Sequence, residues 1–510
     1  MTAAGWDDIV LGAGTAGSVL AARLSTDPSR RVLLLEAGVD RLGPEWDGQP
    51  LGRSVLSGYN WDYAGYSGAE PRGRQVPYGP GRLVGGSGAV NGAIALRGVP
   101  ADFAEWAAAG NPEWAWDRVL PFYRRLESDA DFGADPVHGA DGPIPVVRPA
   151  PDQLDPMATA FLAACRAAGM PEVADVNAGG QPGAGPLPSN ARDGRRVSAA
   201  DGYLTPVLNR PNLTVWSRTT AISLVLDGDR VTGVRVVRDG HPVTVAADRV
   251  TLCAGGINTP LILQRSGIGD GKRLAEAGIP TVVELPGVGA NLAEHPAVLI
   301  WAIPAAGVCV EGRPWHQAMA RLATTGGEPD VALVLASNVA DESVSAVRDG
   351  ERVPMTVAIS VMLLAPAGRG HVSVTGAGPE ARPQIVLDMA RHPDDLAALA
   401  TGTRLAWSLM TGEHMSPLLD DVLLWTEKRV FDDVRLRRSV AAFATPLWHP
   451  AGTARMGPDH DDTAVVDQYC RVRGVSGLRV ADASVMPAIT RAPTNLTCVM
   501  LAERVASWMT

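Results

Sequence analysis

The stretch Asp8-Ile9-Val10-Leu11-Gly12-Ala13-Gly14-Thr15-Ala16-Gly17-Ser18-Val19-Leu20-Ala21-Ala22-Arg23-Leu24 decides how the chain begins to fold. Its apolar run predicts a short buried strand, and the residues after Gly17 have helical composition and spacing. A second strand follows at Arg31–Leu35 and ends in Glu36, 19 residues beyond Gly17. Strand, glycine turn, helix, strand and acid form the pattern of a parallel dinucleotide-binding unit. Gly12 allows the tight turn, Gly14 lets the backbone approach a pyrophosphate, and Gly17 permits close packing of helix on strand. The helix N-terminus offers free N–H groups and partial positive charge to phosphate. Glu36 is placed to accept from ribose hydroxyls, and its charge disfavours a 2′-phosphate. The turn alone does not separate FAD from NAD.

Outward from this unit, 510 residues are long enough for two domains or one large domain with insertions. Hydrophobic residues make up 46% and charged residues 20%, which excludes a disordered tail, a collagen-like fibre and a disulfide framework. The net charge of −10 lacks the basic surplus of a nucleic-acid binder. Lys272 and Lys428 are the only lysines, a bias that reads as pressure from a GC-rich, actinobacterial-type genome. Cys165, Cys253, Cys309, Cys470 and Cys498 are scattered, without metal-ligand spacing, so free thiols and no metal are expected. Runs such as Val32–Leu35 and Val361–Leu364 are too short to span a bilayer. With the first strand beginning near Asp8, the expectation is a cytoplasmic protein without a secretory signal.

Further along, Gly81-Arg82-Leu83-Val84-Gly85-Gly86-Ser87-Gly88-Ala89-Val90-Asn91-Gly92, with Arg97-Gly98, Asp102 and Trp106, resembles the first signature of the glucose–methanol–choline oxidoreductases. Ala254–Pro260 and Ser266–Gly269 resemble the second. Pro286–Leu292 with Glu294-His295-Pro296, Trp448–Gly457, and Val480–Pro487 match later blocks in family order. The resemblance implies an α/β fold: a Rossmann-like FAD-binding domain interleaved with an α+β substrate domain containing an antiparallel sheet. The FAD part is expected over residues 1–98, 190–300 and 440–510, and the substrate part over 99–189 and 301–439.

The same resemblance implies which residues hold FAD. Gly12, Gly14, Thr15, Ala16 and Gly17 belong to the turn, with Glu36 and Ala37 after the second strand. Arg82, Gly85, Gly86, Ser87, Asn91, Gly92 and Ala93 come from the first signature, where small residues let backbone run close under a flat ring. Ile222 stands where the family holds adenine through backbone groups. Ala254, Gly255, Trp448, His449, Asp482, Ala483, Asn495, Leu496 and Thr497 complete the implied set. Some members tether FAD through a histidine just before the asparagine of the first signature. Val90 stands there and cannot form the bond, so FAD is expected to be non-covalent.

His449 matches the family's catalytic histidine, a general base that takes the hydroxyl proton as hydride leaves carbon for flavin N5. Asn495 aligns with a flavin-binding asparagine, which puts Pro493 where the family places a second polar side chain, His or Asn. Proline has no side-chain donor or acceptor. The partner role then passes to His316, Thr494 or Asn495, or the substrate is activated enough for one base, or redox activity has been lost; the first two together are favoured. His295 reads as structural or pocket-edge, and His138, His241, His371, His392 and His460 as exposed loop residues. Trp315 and Trp448 are expected near the pocket.

Elsewhere, Asn212–Trp216, Ala221–Leu226 and Val231–Val237 read as a β-meander, Val331–Ala336 and Pro354–Leu364 as strands, and Leu396–Met410 as a helix. The leading expectation is FAD-dependent oxidation of a primary alcohol, aryl, heteroaryl or sugar-like, to the aldehyde. O2, a quinone or a dedicated carrier such as mycofactocin is the acceptor. The alternative is a hydroxynitrile-lyase-type enzyme on the same scaffold.

Overall fold

The computed structural model describes residues 5–40, 50–51, 58–68, 73–340, 347–348 and 351–510. Strand β1 (Trp6–Leu11), helix α1 (Thr15–Leu24) and strand β2 (Val32–Leu35) form where the glycine turn predicts them. All four residues of β2 are buried, as expected of a parallel strand covered on both faces. The central sheet runs Leu213–Trp216, β2, β1, His241–Leu252, Arg230–Arg238, Thr219–Asp227, and Leu478–Val480 pairs with His241–Leu252 as a seventh strand. The meander expectation needs one correction. Thr219–Leu252 makes an antiparallel meander, whereas Leu213–Trp216 lies parallel to β2 on the far side, with Leu213 opposite Val32. Four apolar-rich residues cannot distinguish these pairings without knowing what β2 lacks as a neighbour.

A second seven-stranded sheet is antiparallel and built largely from later residues. Its order is Leu419–Val422, Pro296–Pro304, Thr356–Leu363, Val331–Val339, Ala318–Leu322, Gly183–Pro186, with Thr445–Pro446 added beside Pro296–Ala297. Helix Pro393–Thr411 backs this sheet. Gly402 permits the approach, since a Cβ there would stand 2.6 Å from Val361 Cγ1. A four-stranded sheet joins Ala64–Ser67 and Arg74–Pro77 to His371–Ser373 and Gln384–Leu387, so early and late chain segments share structure. The C-terminal helix Thr494–Ser507 packs on α1, pinned by Arg23 on the buried Glu503 at 2.6 Å. All five cysteines are free thiols. Among the described residues no helix is long and apolar enough to cross a membrane.

The histidines are not all where loop composition puts them. His371 lies half-buried in a strand. His138 is only 1% exposed, although its neighbours Val137 and Gly139 gave no periodic signal of burial. Its Nδ1 lies 2.9 Å from Glu127 and 3.4 Å from Asp129, and its Nε2 lies 2.8 Å from Asp175. Arg97 bonds Glu127 at 3.2 Å, while Arg148 reaches Asp129 at 2.8 Å and Asp175 at 2.6 Å. Three carboxylates thus meet two guanidinium groups and one imidazole, which balances charge when the imidazole is protonated. Burial opposes that proton, but the hydrogen bonds to Asp175 and Glu127 outweigh it and raise the His138 pKa to about 9.

A pKa raised above the unfolded value of about 6.5 contributes stability in full below that pH and loses it as pH rises through the folded value. The wild-type melting temperature is therefore expected to fall by a few degrees between pH 7 and pH 10. His138→Gln is expected to be less stable at pH 7 and to show a shallower decline, measured by thermal melts across that range.

Candidate active site

Three backbone segments meet with no room for side chains. A Cβ on Gly17 would stand 1.8 Å from Gly12 O, and one on Gly86 would stand 2.7 Å from Gly14 Cα. Gly85 N–H donates to Ala13 O at 2.8 Å, and Thr15 Oγ1 donates to Asn495 Oδ1 at 2.9 Å. The turn, the short helix Gly86–Val90 and the start of the C-terminal helix are thereby one cluster. Helix α1 begins at Gly14 with no side-chain cap and no acid in its first turn, so its N–H groups are left for a ligand.

Glu36 accepts from Ala13 N–H at 3.0 Å and Gly38 N–H at 2.7 Å. Burial pushes its pKa up to about 7, against those bonds and the attraction of Arg82. Arg82 stacks over Trp61 at 4.6 Å, and Ala37 is half-buried beside Glu36. Asp482 accepts from Gly255 N–H at 2.9 Å, Thr259 Oγ1 at 2.6 Å and Ser484 N–H at 2.8 Å, joining Ala254-Gly255 to Ala483. Ser87 Oγ accepts from Gly81 N–H at 3.0 Å. Asn91 Oδ1 accepts from Ala93 N–H at 2.9 Å, and Gly92 beside it is exposed. Ile222 sits at a register shift between Ala221 and Ser223, which frees backbone groups from the ladder. Ala16 is buried in α1. Leu496 and Thr497 lie wholly in the core, Thr497 Oγ1 sharing a proton with Tyr123 OH at 2.9 Å. An uncapped helix start, paired glycine backbones and a buried carboxylate with spare lone pairs fit a dinucleotide such as FAD.

The second group is set by strand pairing. Pro296 lies opposite Pro446, so the residues just outside this ladder, Glu294-His295 and Leu447-Trp448-His449, stand side by side. Leu447 N–H donates to His295 O at 3.2 Å. Trp448 takes a left-handed φ of 59° and is 48% exposed. That turn brings His449 N–H onto Glu294, 2.8 and 3.0 Å from its two carboxylate oxygens, and Tyr78 OH also donates to Glu294. The His295 and His449 Nδ1 atoms lie 2.9 Å apart, the rings at 82°.

The tautomers follow from the partners. His295 Nε2 faces Leu364 O at 3.2 Å and Thr490 O at 3.0 Å, both pure acceptors, so Nε2 carries hydrogen. Burial lowers the His295 pKa to about 4, so near neutral pH its Nδ1 bears only a lone pair. His449 Nδ1 must then be the donor, which leaves His449 Nε2 as an unprotonated base. Burial, then the neighbouring His295, hold the His449 pKa well below its ordinary value. His295 is the residue that motif reading placed too far from the chemistry; the signal was its place in a block beside Glu294.

The Thr490 carbonyl ties this pair to the segment carrying Pro493, which precedes the C-terminal helix and is half-buried. Asp102 holds the same segment, accepting from Arg491 N–H at 3.0 Å and Arg491 Nη1 at 2.7 Å. His316 Nδ1 donates to Leu335 O at 3.1 Å, and a Cβ on Gly92 would lie 3.4 Å from its Nε2. Trp315 Nε1 is buried and has no hydrogen-bond partner among the described residues.

The chain matches the GMC oxidoreductase family over residues 6–297 and again over 366–502. It is 37% identical to an uncharacterised GMC-type oxidoreductase of Rhodococcus erythropolis, over 99% of each chain. It is 36% identical to the 5-(hydroxymethyl)furfural oxidase of Methylovorus sp., again over 99% of each. Among solved structures, pyridoxine 4-oxidase from Mesorbium loti superposes with a TM-score of 0.89 at 32% identity, covering 99% of each chain.

A base held neutral by burial gives a definite pH profile. In oxidation of an alcohol, kcat/KM is expected to stay level as pH falls through 6.5, with its acid limb below the ordinary imidazole value. His295→Leu removes the acceptor that selects the tautomer. It is expected to lower kcat/KM by roughly a hundredfold or more while flavin remains bound.

Proposed function

The chain belongs to the GMC oxidoreductases, FAD-dependent enzymes that act on alcohol-type substrates, and from that premise we propose that it oxidises a primary alcohol on a flat aromatic or heteroaromatic ring to the aldehyde, with O2 as electron acceptor. The observation that carries this reading is the His295–His449 pair, which leaves one imidazole lone pair at His449 Nε2. The alcohol's hydroxyl donates to that nitrogen and its proton moves there as the C–H bond breaks. Bound FAD supplies the two-electron acceptor for the hydride. His295 then faces the new imidazolium through its Nδ1 lone pair and so holds the ring in place. Glu294 fixes the His449 backbone and keeps the base at one distance from the reacting carbon.

The substrate class rests on two supports. The two named oxidases are a 5-(hydroxymethyl)furfural oxidase and a pyridoxine 4-oxidase, and both of those molecules carry a hydroxymethyl group on a heteroaromatic ring. Pro493 offers no hydrogen bond to the developing carbonyl oxygen, which suits a carbonyl stabilised by conjugation with its ring. The bond from His316 Nδ1 to Leu335 O leaves His316 Nε2 as an acceptor, which in this proposal receives a donor on the ring. O2 as acceptor is supported by the oxidase activity named for the relatives.

FAD is held without a covalent bond in this proposal, because the residue before Asn91 is Val90, 4% exposed and with no nucleophile. Acid precipitation is expected to give a yellow supernatant over a white pellet. A yellow pellet would refute it.

Anaerobic mixing with a panel of aryl, heteroaryl, sugar and choline-type alcohols tests the reaction itself. Ring-borne hydroxymethyl compounds are expected to bleach the flavin band fastest, and admission of air to restore it with hydrogen peroxide formed. His449→Ala is expected to slow bleaching by about 10²–10⁴-fold, the usual worth of a general base, while retaining FAD. Lyase chemistry would leave the band oxidised throughout. Rapid bleaching by the alanine variant would remove His449 from the base role.

A further inference from the structure

Arg196 is delivered by a two-strand hairpin, Ala191–Arg192 against Arg195–Arg196, that turns at Asp193-Gly194 with φ of 52° and 72°. Asn190 welds this hairpin to the end of the first signature. Its N–H donates to Ala93 O at 3.0 Å, its Nδ2 donates to Val197 O at 2.8 Å, and Val197 N–H returns to Asn190 O at 2.8 Å. The Arg196 side chain is therefore held against Asn91, and it is 5% exposed.

Arg196 Nη1 donates to Asn91 Oδ1 at 2.6 Å, the atom that also accepts from Ala93 N–H. Both partners are pure donors, so the atom between them is oxygen and its two lone pairs are taken. The Asn91 NH2 group is thereby turned away from both donors and makes no hydrogen bond among the described residues. Among the described residues no carboxylate lies within 4.0 Å of the guanidinium, and its Nε has no hydrogen-bond partner. The buried side chains of Arg97 and Arg148 are paired with carboxylates, whereas Arg321, 2% exposed, resembles Arg196 in having none among the described residues and donates to the Val176 carbonyl instead. Burial draws the Arg196 pKa down to about 10, with only the more distant Asp201 opposing it. A buried cation left unpaired is costly unless a ligand brings the counter-charge.

We propose that Arg196 positions FAD: it locks the Asn91 amide with its NH2 group toward the bound cofactor, and its guanidinium pairs with an anionic group of that cofactor. The inference rests on the FAD assignment of the family and adds a residue that is not in the set the resemblance implies to hold FAD.

Wild-type, Arg196→Met and Arg196→Lys proteins, stripped of flavin, are to be titrated with FAD and separately with ADP, with melting curves for the empty and loaded forms. Arg196→Met is expected to bind FAD about tenfold to a hundredfold more weakly, the loss of a charge-assisted hydrogen bond. Arg196→Lys, which keeps the charge, is expected to recover part of that affinity. Empty Arg196→Met is expected to melt no lower than empty wild type, and its FAD-induced rise in melting temperature to shrink. A parallel loss of ADP affinity assigns the charge to the diphosphate, whereas unchanged ADP affinity assigns it to the ring end. Wild-type affinity in the methionine variant overturns the proposal. So does an empty variant destabilised as much as the loaded one, since that marks a purely structural arginine. A wild-type protein that bound no FAD would instead refute the cofactor assignment itself.

Discussion

Backbone meets backbone at Gly14 and Gly86, and nothing larger than hydrogen fits between them. This contact ties the parallel strand–turn–helix unit to the first signature. It brings two helix starts together with the head of the C-terminal helix, where Thr15 Oγ1 donates to Asn495 Oδ1. Gly12 and Gly17 make the same demand inside the turn, where the Gly12 carbonyl occupies the place of any Gly17 side chain. The glycines thus create an opening lined with unused N–H groups, the feature that a diphosphate needs. The rest of the architecture, from the parallel sheet to the packing of the C-terminal helix on α1, holds that opening in place.

The buried charges fall into a paired set and an unpaired set. Deep in the protein, Arg23 meets Glu503, Arg30 meets Asp8, and the His138 network balances three carboxylates with three cations. Other buried charges have no opposite charge as a hydrogen-bond partner among the described residues, Arg321 included, which donates to the Val176 carbonyl. Glu36 is a buried carboxylate held by N–H groups alone, and Arg196 is a buried guanidinium facing an amide. The histidine pair is uncharged, kept so by burial and by two backbone carbonyls. A base is most useful where its proton is absent beforehand, and here packing rather than a charged partner ensures that.

Much of this was legible in the chain. Gly12 to Glu36 specify a local unit whose parts lie within a few turns of one another, and local spacing is what sequence preserves. Motif blocks keep their neighbours with them, which is how the sequence points to His449, Asp482 and Asn495 as site candidates. The misreadings share one physical cause. His138 lies in a loop as expected but is buried rather than exposed, because its three acidic partners come from Glu127, Asp129 and Asp175, with no period linking them. Leu213–Trp216 was grouped with the wrong strands because a short apolar segment does not announce its partner. His295 was set at the pocket edge because its role depends on a carbonyl 195 residues away at Thr490.

The sequence by itself determined the strand–glycine turn–helix unit and the family, since each depends on residue identity at short, fixed spacing. It also marked Pro493 as a departure, since a ring without a donor or acceptor is a property of the residue alone. Only the tertiary structure decided which nitrogen of His449 is free, which end of the Asn91 amide is turned outward, and which buried charges lack a partner. Those are properties of pairs brought together by strand register and hairpin geometry, and no single position in the chain carries them.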